Sequence, residues 1–238
     1  MISRHTLPII VSTIFLLTQA CSSPGTAPKT LQHSGFTPEN LIKTDFNRFT
    51  ETTQQHIFVS LKRLAAKLYK RNPREWQKSG APSMEYAIEQ MFSVDHNWRL
   101  ATLGYRRDID ALQIALHPEY RGDRVQAYII GLASMIQTAL GDREAFYMLD
   151  DLDAQYLYNA ARNVEIAAWK LANARDENNT LLLLSNEMGE INNLSFEREF
   201  GRIIGQLELL SDLTAYATER NVVRAVQNIA TAVFLPVN

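Results

Sequence analysis

Apolar side chains recur every three or four positions along most of the chain. The clearest run is Ile57, Phe58, Leu61, Leu64, Ala65, Leu68 and Tyr69, a spacing that paints one face of an α-helix. Lys62, Arg63, Lys67, Lys70 and Arg71 take the other side. Upstream, Thr37-Pro38-Glu39 has the order of a helix start: a capping hydroxyl, a proline at the first helical position and an acid in the first turn. Downstream, Asn72-Pro73-Arg74-Glu75 stops the helix and opens a short turn, with Asn72 as cap and Glu75 placed to reach back. Ser79-Gly80-Ala81-Pro82 is a turn, after which Ser83 caps a helix carrying Met84, Ala87, Ile88, Met91 and Phe92.

The pattern continues with Ile109, Leu112, Ala115 and Leu116, interrupted by His117-Pro118. From Arg124 to Leu140 the chain reads as a helix whose stretch AYIIGLASMIQTAL is apolar almost all round. Fourteen such residues are too few to span a bilayer core of roughly 30 Å, so the spacing predicts a central buried helix capped by Gly141. Asp153 is placed to cap a further helix bearing Tyr156, Ala160, Val164, Ala167 and Leu171. Phe196, Phe200, Ile203, Ile204, Leu207 and Leu210 mark another, and Val222, Val226, Ile229 and Val233 a last one. Between residues 173 and 193 the chain is rich in Asn and acids yet holds Leu181-Leu182-Leu183-Leu184, which fits a short strand or a loop pinned to the core. No self-similarity at solenoid periods appears. The expectation is an all-α fold: a single compact, bundle-like multi-helix domain over residues 37–238.

The first thirty-six residues have a different character. Arg4 and His5 precede an eleven-residue apolar run, Leu7 to Leu17, then Thr18-Gln19-Ala20 and the only cysteine, Cys21. That is the layout of a secretory signal over residues 1–20. The order of charge, apolar run, small residue and cysteine resembles a bacterial lipoprotein signal, although Thr18 stands where that family prefers Leu. The resemblance implies acylation of Cys21, which would become the mature N-terminus. Ser22 replaces the aspartate that would retain such a protein at the inner membrane, which implies the outer membrane. Two or three acyl chains make such an anchor stable, at about 0.8 kcal/mol per buried methylene. Ordinary signal cleavage, leaving Cys21 a free thiol, and an uncleaved cytoplasmic chain are the alternatives. Residues 21–36 are small, polar and Pro- and Gly-containing, and read as a flexible tether.

Composition narrows the chemistry. Hydrophobic residues make up 46% of the chain and charged ones 21%, with a formal charge of −2; a broad basic nucleic-acid surface is not expected. A single cysteine excludes an internal disulfide and any multi-cysteine metal cluster. There is no GxxxxGK[ST], GxGxxG or GxSxG, and Ser134 falls inside the apolar helix. No histidine pair has zinc-site spacing and none follows a Glu by three positions. His96, beside Asp95 and near Trp98, is read as a polar residue at a helix end in preference to a general base. No cofactor is expected.

The acidic cluster Asp150, Asp151 and Asp153 is the densest cation candidate. Measured from Asp151, an EF-hand loop would need Gly where Tyr156 stands and Glu at a twelfth position that has none. Helix capping is therefore the preferred reading. Arg162 and Glu165 are three apart and can pair on one helix face or line a pocket. Gly201 and Gly205 form a GxxxG read as ordinary tight helix packing. Arg121-Gly122-Asp123 reads as the start of the buried helix.

The body resembles an uncharacterised family of proteobacterial lipoproteins. The similarity rests on LYKRNPRE (68–75), RGDRV (121–125), LDAQYLYN (152–159) and NLSFER (193–198), and covers the chain from about Phe46 onward. It implies a location and no mechanism. The expectation is a lipid-anchored, periplasm-facing envelope protein with a non-catalytic binding or structural role, and an envelope protein as partner. The alternative is an envelope enzyme or small-ligand binder whose pocket draws on Asp150, Asp151, Asp153, Arg162 and Glu165.

Overall fold

A computed structural model describes residues 45–93, 96–147, 152–187, 193–219, 221–224 and 226–238. All of them lie in one compact unit, Glu39–Asn238. The signal, Cys21, the tether and the Thr37-Pro38-Glu39 helix start lie outside the described residues. The unit is all-α, as the periodicity predicts: α1 (Asp45–Arg71), α2 (Pro73–Lys78), α3 (Met84–Ser93), α4 (Asp108–Ala115), α5 (Arg124–Ala139), α6 (Ala154–Asn173) and α7 (Ser195–Thr218), with a 3₁₀ turn at Ala101–Leu103. Among the described residues, β-structure is limited to two isolated bridges. No helix there is long and apolar enough to cross a membrane.

The core is built around α5. All its residues but Gln126 and Thr138 are buried, which is what an all-round apolar sequence requires. α5 packs on α1, α2, α4 and α6, while α7 lies against α1 and α6. Ile57, Leu61, Leu64, Ala65 and Leu68 of α1 are fully buried, each large side chain contributing about 1.5–3 kcal/mol. Gly131 permits the close approach of α4: a Cβ there would sit 2.7 Å from both the Leu112 side chain and its backbone nitrogen. Gly141, in the left-handed region at φ +72°, follows the end of α5 as its pattern suggests. Ser83 Oγ accepts the Tyr86 N–H at 3.1 Å, as expected of a cap for α3.

Three local expectations need correction, and one open alternative is decided. Gly201 and Gly205 are exposed, and a Cβ on either would meet nothing within 4 Å; the packing glycine is Gly131 instead. Asn72 does not cap α2. Its amide donates to the carbonyls of Leu68 and Leu184, each at 2.9 Å, and accepts the Leu184 N–H at 2.8 Å. Glu75 likewise reaches across to α5, away from its own helix start. The four-leucine segment is a pinned loop: Arg175 bridges Leu181, Glu187 bridges Asn193, and Leu183 is buried.

The last predicted helix does not form. The described residues from 221 to 238 are irregular and cross α6 as a strap. Val222, Val223, Val226, Ile229 and Val233 are β-branched, which lowers helix propensity. The Asn228 side chain also accepts the Ala230 N–H at 3.0 Å, a turn that competes with the helical ladder.

Candidate functional site

Two polar constellations stand out. The first surrounds the start of α5. Asp123 caps this helix: Oδ1 accepts the Gln126 N–H at 2.9 Å and Oδ2 the Tyr69 hydroxyl at 2.8 Å. Glu75 Oε2 accepts the Arg124 N–H at 2.7 Å, and its other oxygen takes Lys78 Nζ at 2.6 Å. Two carboxylates thus satisfy N–H groups that the first turn leaves unpaired, where the helix dipole favours negative charge. The Arg124 guanidinium, itself buried, donates to four carbonyls, those of Ala115, His117, Pro118 and Tyr120, at 2.6–2.9 Å. A Cβ on Gly122 would fall 2.5 Å from the Tyr120 ring, so a side chain there would have to displace that tyrosine.

The electrostatics follow from this burial. Desolvation pushes the Asp123 carboxyl above the usual range, opposed by the Gln126 N–H and the Tyr69 hydroxyl. The same burial, together with the Asp123 charge, raises the Tyr69 phenol. Burial lowers the Arg124 guanidinium. These groups do structural work, holding α1, α2 and α5 at one point. Residues 68–75 and 121–125 meet here. Ser134 is similarly engaged, donating to the Ile130 carbonyl and accepting the Asp108 N–H, both at 2.6 Å.

The second constellation lies on α6. Asp153 caps this helix, its Oδ1 accepting the Gln155 N–H at 2.7 Å. Asp150 and Asp151 lie outside the described residues. Among the described residues, no group of three or more His, Cys, Asp or Glu side chains is placed to hold a metal ion. One helical turn apart from each other, Gln155, Asn159 and Asn163 form a row of amides facing the strap. Gln155 accepts the Val223 N–H at 2.7 Å and donates to the same residue's carbonyl at 3.1 Å. Asn163 does the same for Leu235, at 2.6 and 2.7 Å. Asn159 donates to the Pro236 carbonyl at 2.6 Å.

Arg162 and Glu165 pair at 2.7 Å, and Arg162 also pairs with Glu208 of α7. The Arg162 and Arg224 guanidiniums each lie 5.6 Å from the Tyr158 ring centre, within cation–π reach. Arg224, from the strap, pairs with Asp212 at 2.8 Å. Where the strap arches between its two anchors it leaves a cavity of about 390 Å³, floored by Tyr158, Arg162, Glu165 and Ile166 of α6. Arg162 and Glu165 thus pair with each other and line this cavity, whereas Asp153 is not among its lining residues.

His96 accepts the Trp98 N–H through Nδ1 at 2.9 Å, its ring edge-on to the indole; Asp95 lies outside the described residues. Asn159 and Asn163 are visible in the sequence as polar positions beside Arg162 and Glu165, whereas Gln155, Glu208 and Arg224 join them only in the fold. The available signal was the spacing of Gln155, Asn159 and Asn163 by fours on a helix otherwise rich in Ala and aromatics. Comparison of the chain with protein-family models, with curated proteins and with solved structures found no match.

Proposed function

We propose that the chain is a lipid-anchored protein of the cell envelope, held at the outer membrane through Cys21, whose helical domain faces the periplasm. There it binds another envelope protein without catalysing a reaction. The order of signal residues up to Cys21 supports the anchor. The observation that carries the binding role is the outward row on α7. Gly201, Gly205, Leu209, Leu213 and Tyr216 fall three or four apart and are all exposed, Leu209 at 50% and Tyr216 at 86%. An apolar row left open along one helix face fits a partner surface. The buried charges of the α5 start, by contrast, are consumed by capping and carbonyl bonds.

One experiment in intact cells tests both halves. The chain carries a photo-crosslinking residue at position 209, and cells are labelled with radioactive palmitate. Labelling of the natural chain but not of Cys21→Ser, with a discrete crosslinked partner, is the expected result. Equal labelling of both chains removes the anchor, and recovery of only monomer and bulk lipoproteins removes the specific partner.

A small-ligand reading rests on the cavity beneath the strap, whose volume of about 390 Å³ lies within the range of small-molecule sites. An apolar fluorescent dye that shows no saturable enhancement with the full chain would dispose of it.

A further inference from the structure

We infer that the groove between α6 and α7 is a docking site for an extended, arginine-bearing segment of a partner polypeptide, and that the strap occupies it as a stand-in. The inference deepens the binding role proposed above and rests on it.

The amide row reads backbone. Gln155 takes both polar groups of Val223, and Asn163 both of Leu235. Each side chain thereby acts as one rung of a β-ladder, the mode by which grooves hold extended peptides with little regard to sequence. Any extended segment offers the same N–H and C=O groups at those two points.

The strap fills the space between its anchors poorly. Val226 is 98% exposed, the cavity lies below the arch, and between the two anchors Ala232 is the one buried residue among those described, Val237 joining the core beyond them. A segment with few buried apolar contacts opens at lower free-energy cost than the core.

Charge specifies the occupant. Glu165 and Glu208 hold Arg162, and Asp212 holds Arg224. Lifting the strap removes the Arg224 guanidinium and leaves Glu165, Glu208 and Asp212 with one guanidinium, that of Arg162, beside the Tyr158 ring, which is buried while the strap is in place. Arg224 shows what this surface accepts: a guanidinium over the aromatic face and against Asp212, one residue beyond the backbone pair at Gln155. A partner segment with an arginine at that register meets the same aromatic and acidic groups.

Fluorescence anisotropy tests this with two labelled synthetic peptides. One carries residues 221–236 of the chain; the other is an unrelated extended Val/Ala peptide with a single arginine. The host is the full chain with Val223→Pro and Arg224→Ala, which removes one strap backbone bond and the strap guanidinium without altering the groove. Both peptides are expected to bind this host at least tenfold more tightly than the natural chain. Adding Asp212→Lys to the host, which reverses a charge, is expected to weaken binding by about tenfold, and replacing the peptide arginine with alanine by about twofold, as suits an exposed ion pair. Circular dichroism reports that each host keeps its helices.

Absence of saturable binding to a helical host overturns the inference, as does binding indifferent to Asp212→Lys. If the host sediments as a dimer and takes up neither peptide, the groove accepts a second copy's strap and the partner assignment falls. The crosslinking experiment reports on partners within reach of position 209 on the outward face of α7, whereas anisotropy reports on this groove alone, so the two readings fail separately.

Discussion

The start of α5 and the strap across α6 solve the same problem in opposite ways. In both, side chains satisfy backbone groups of another segment. At α5 the donors and acceptors are charged and buried: Glu75 and Asp123 on the helix N–H groups, and Arg124 on four carbonyls. On α6 they are neutral amides, and the segment they hold is mostly exposed. Charge-assisted bonds are roughly twice as strong as neutral ones, and breaking a buried one strands its partners away from water. Asn159 and Asn163 are buried as well, but their bonds are neutral, and the pair that Gln155 makes with exposed Val223 is exchanged for water at small cost. The first arrangement fixes a structure; the second lets one occupant replace another.

The contrast can be broken by measurement. Arg124→Ala should destabilise the fold by about 3–5 kcal/mol, since four carbonyls lose a buried cation; urea unfolding measures this. A cost below 1 kcal/mol would mean that the cluster is ornamental. Asn163→Ala should cost only about 1–2 kcal/mol, because Leu235 can turn its polar groups toward water. Hydrogen exchange at the Leu235 amide should rise at least tenfold while amides of α5 stay protected. If instead the two variants cost the same, the strap belongs to the cooperative core and is not replaceable. Arg224→Ala should have the smallest effect, no more than about 0.5 kcal/mol, because its ion pair with Asp212 is mostly exposed on both sides. A larger loss would show that the strap guanidinium is structural and not a stand-in.

Most of the fold was legible from periodicity. α1 and α5 announce themselves because their burial is decided by their own residues: one apolar face against Lys62, Arg63 and Lys67 in α1, apolar on nearly every side in α5. The Asp153 and Ser83 caps were legible for the same reason, each serving an N–H two or three residues away, and Asp123 was legible as the start of α5. The strap was not. Val222, Val226, Ile229 and Val233 keep helical spacing, yet the groups that hold the segment sit about seventy residues earlier in sequence, on α6.

Glycine was misread for a related cause. GxxxG at Gly201 carries a pattern but faces solvent, whereas the lone Gly131 carries no pattern and lies against Leu112. Which glycine packs depends on where another helix passes. The candidate site was half legible: Arg162 and Glu165 pair as their spacing suggests, but Glu208 and Arg224 join them only through the fold.

The close approach at Gly131 also bears on the order in which the domain assembles. α4 and α5 lie between Asp108 and Ala139, so bringing Leu112 against Gly131 closes a loop of about twenty residues. The pairing of α1 with α7 must gather chain from Asp45 to Thr218. Loop entropy therefore favours the α4–α5 pair as an early nucleus, with the more distant helices added to a hairpin already closed.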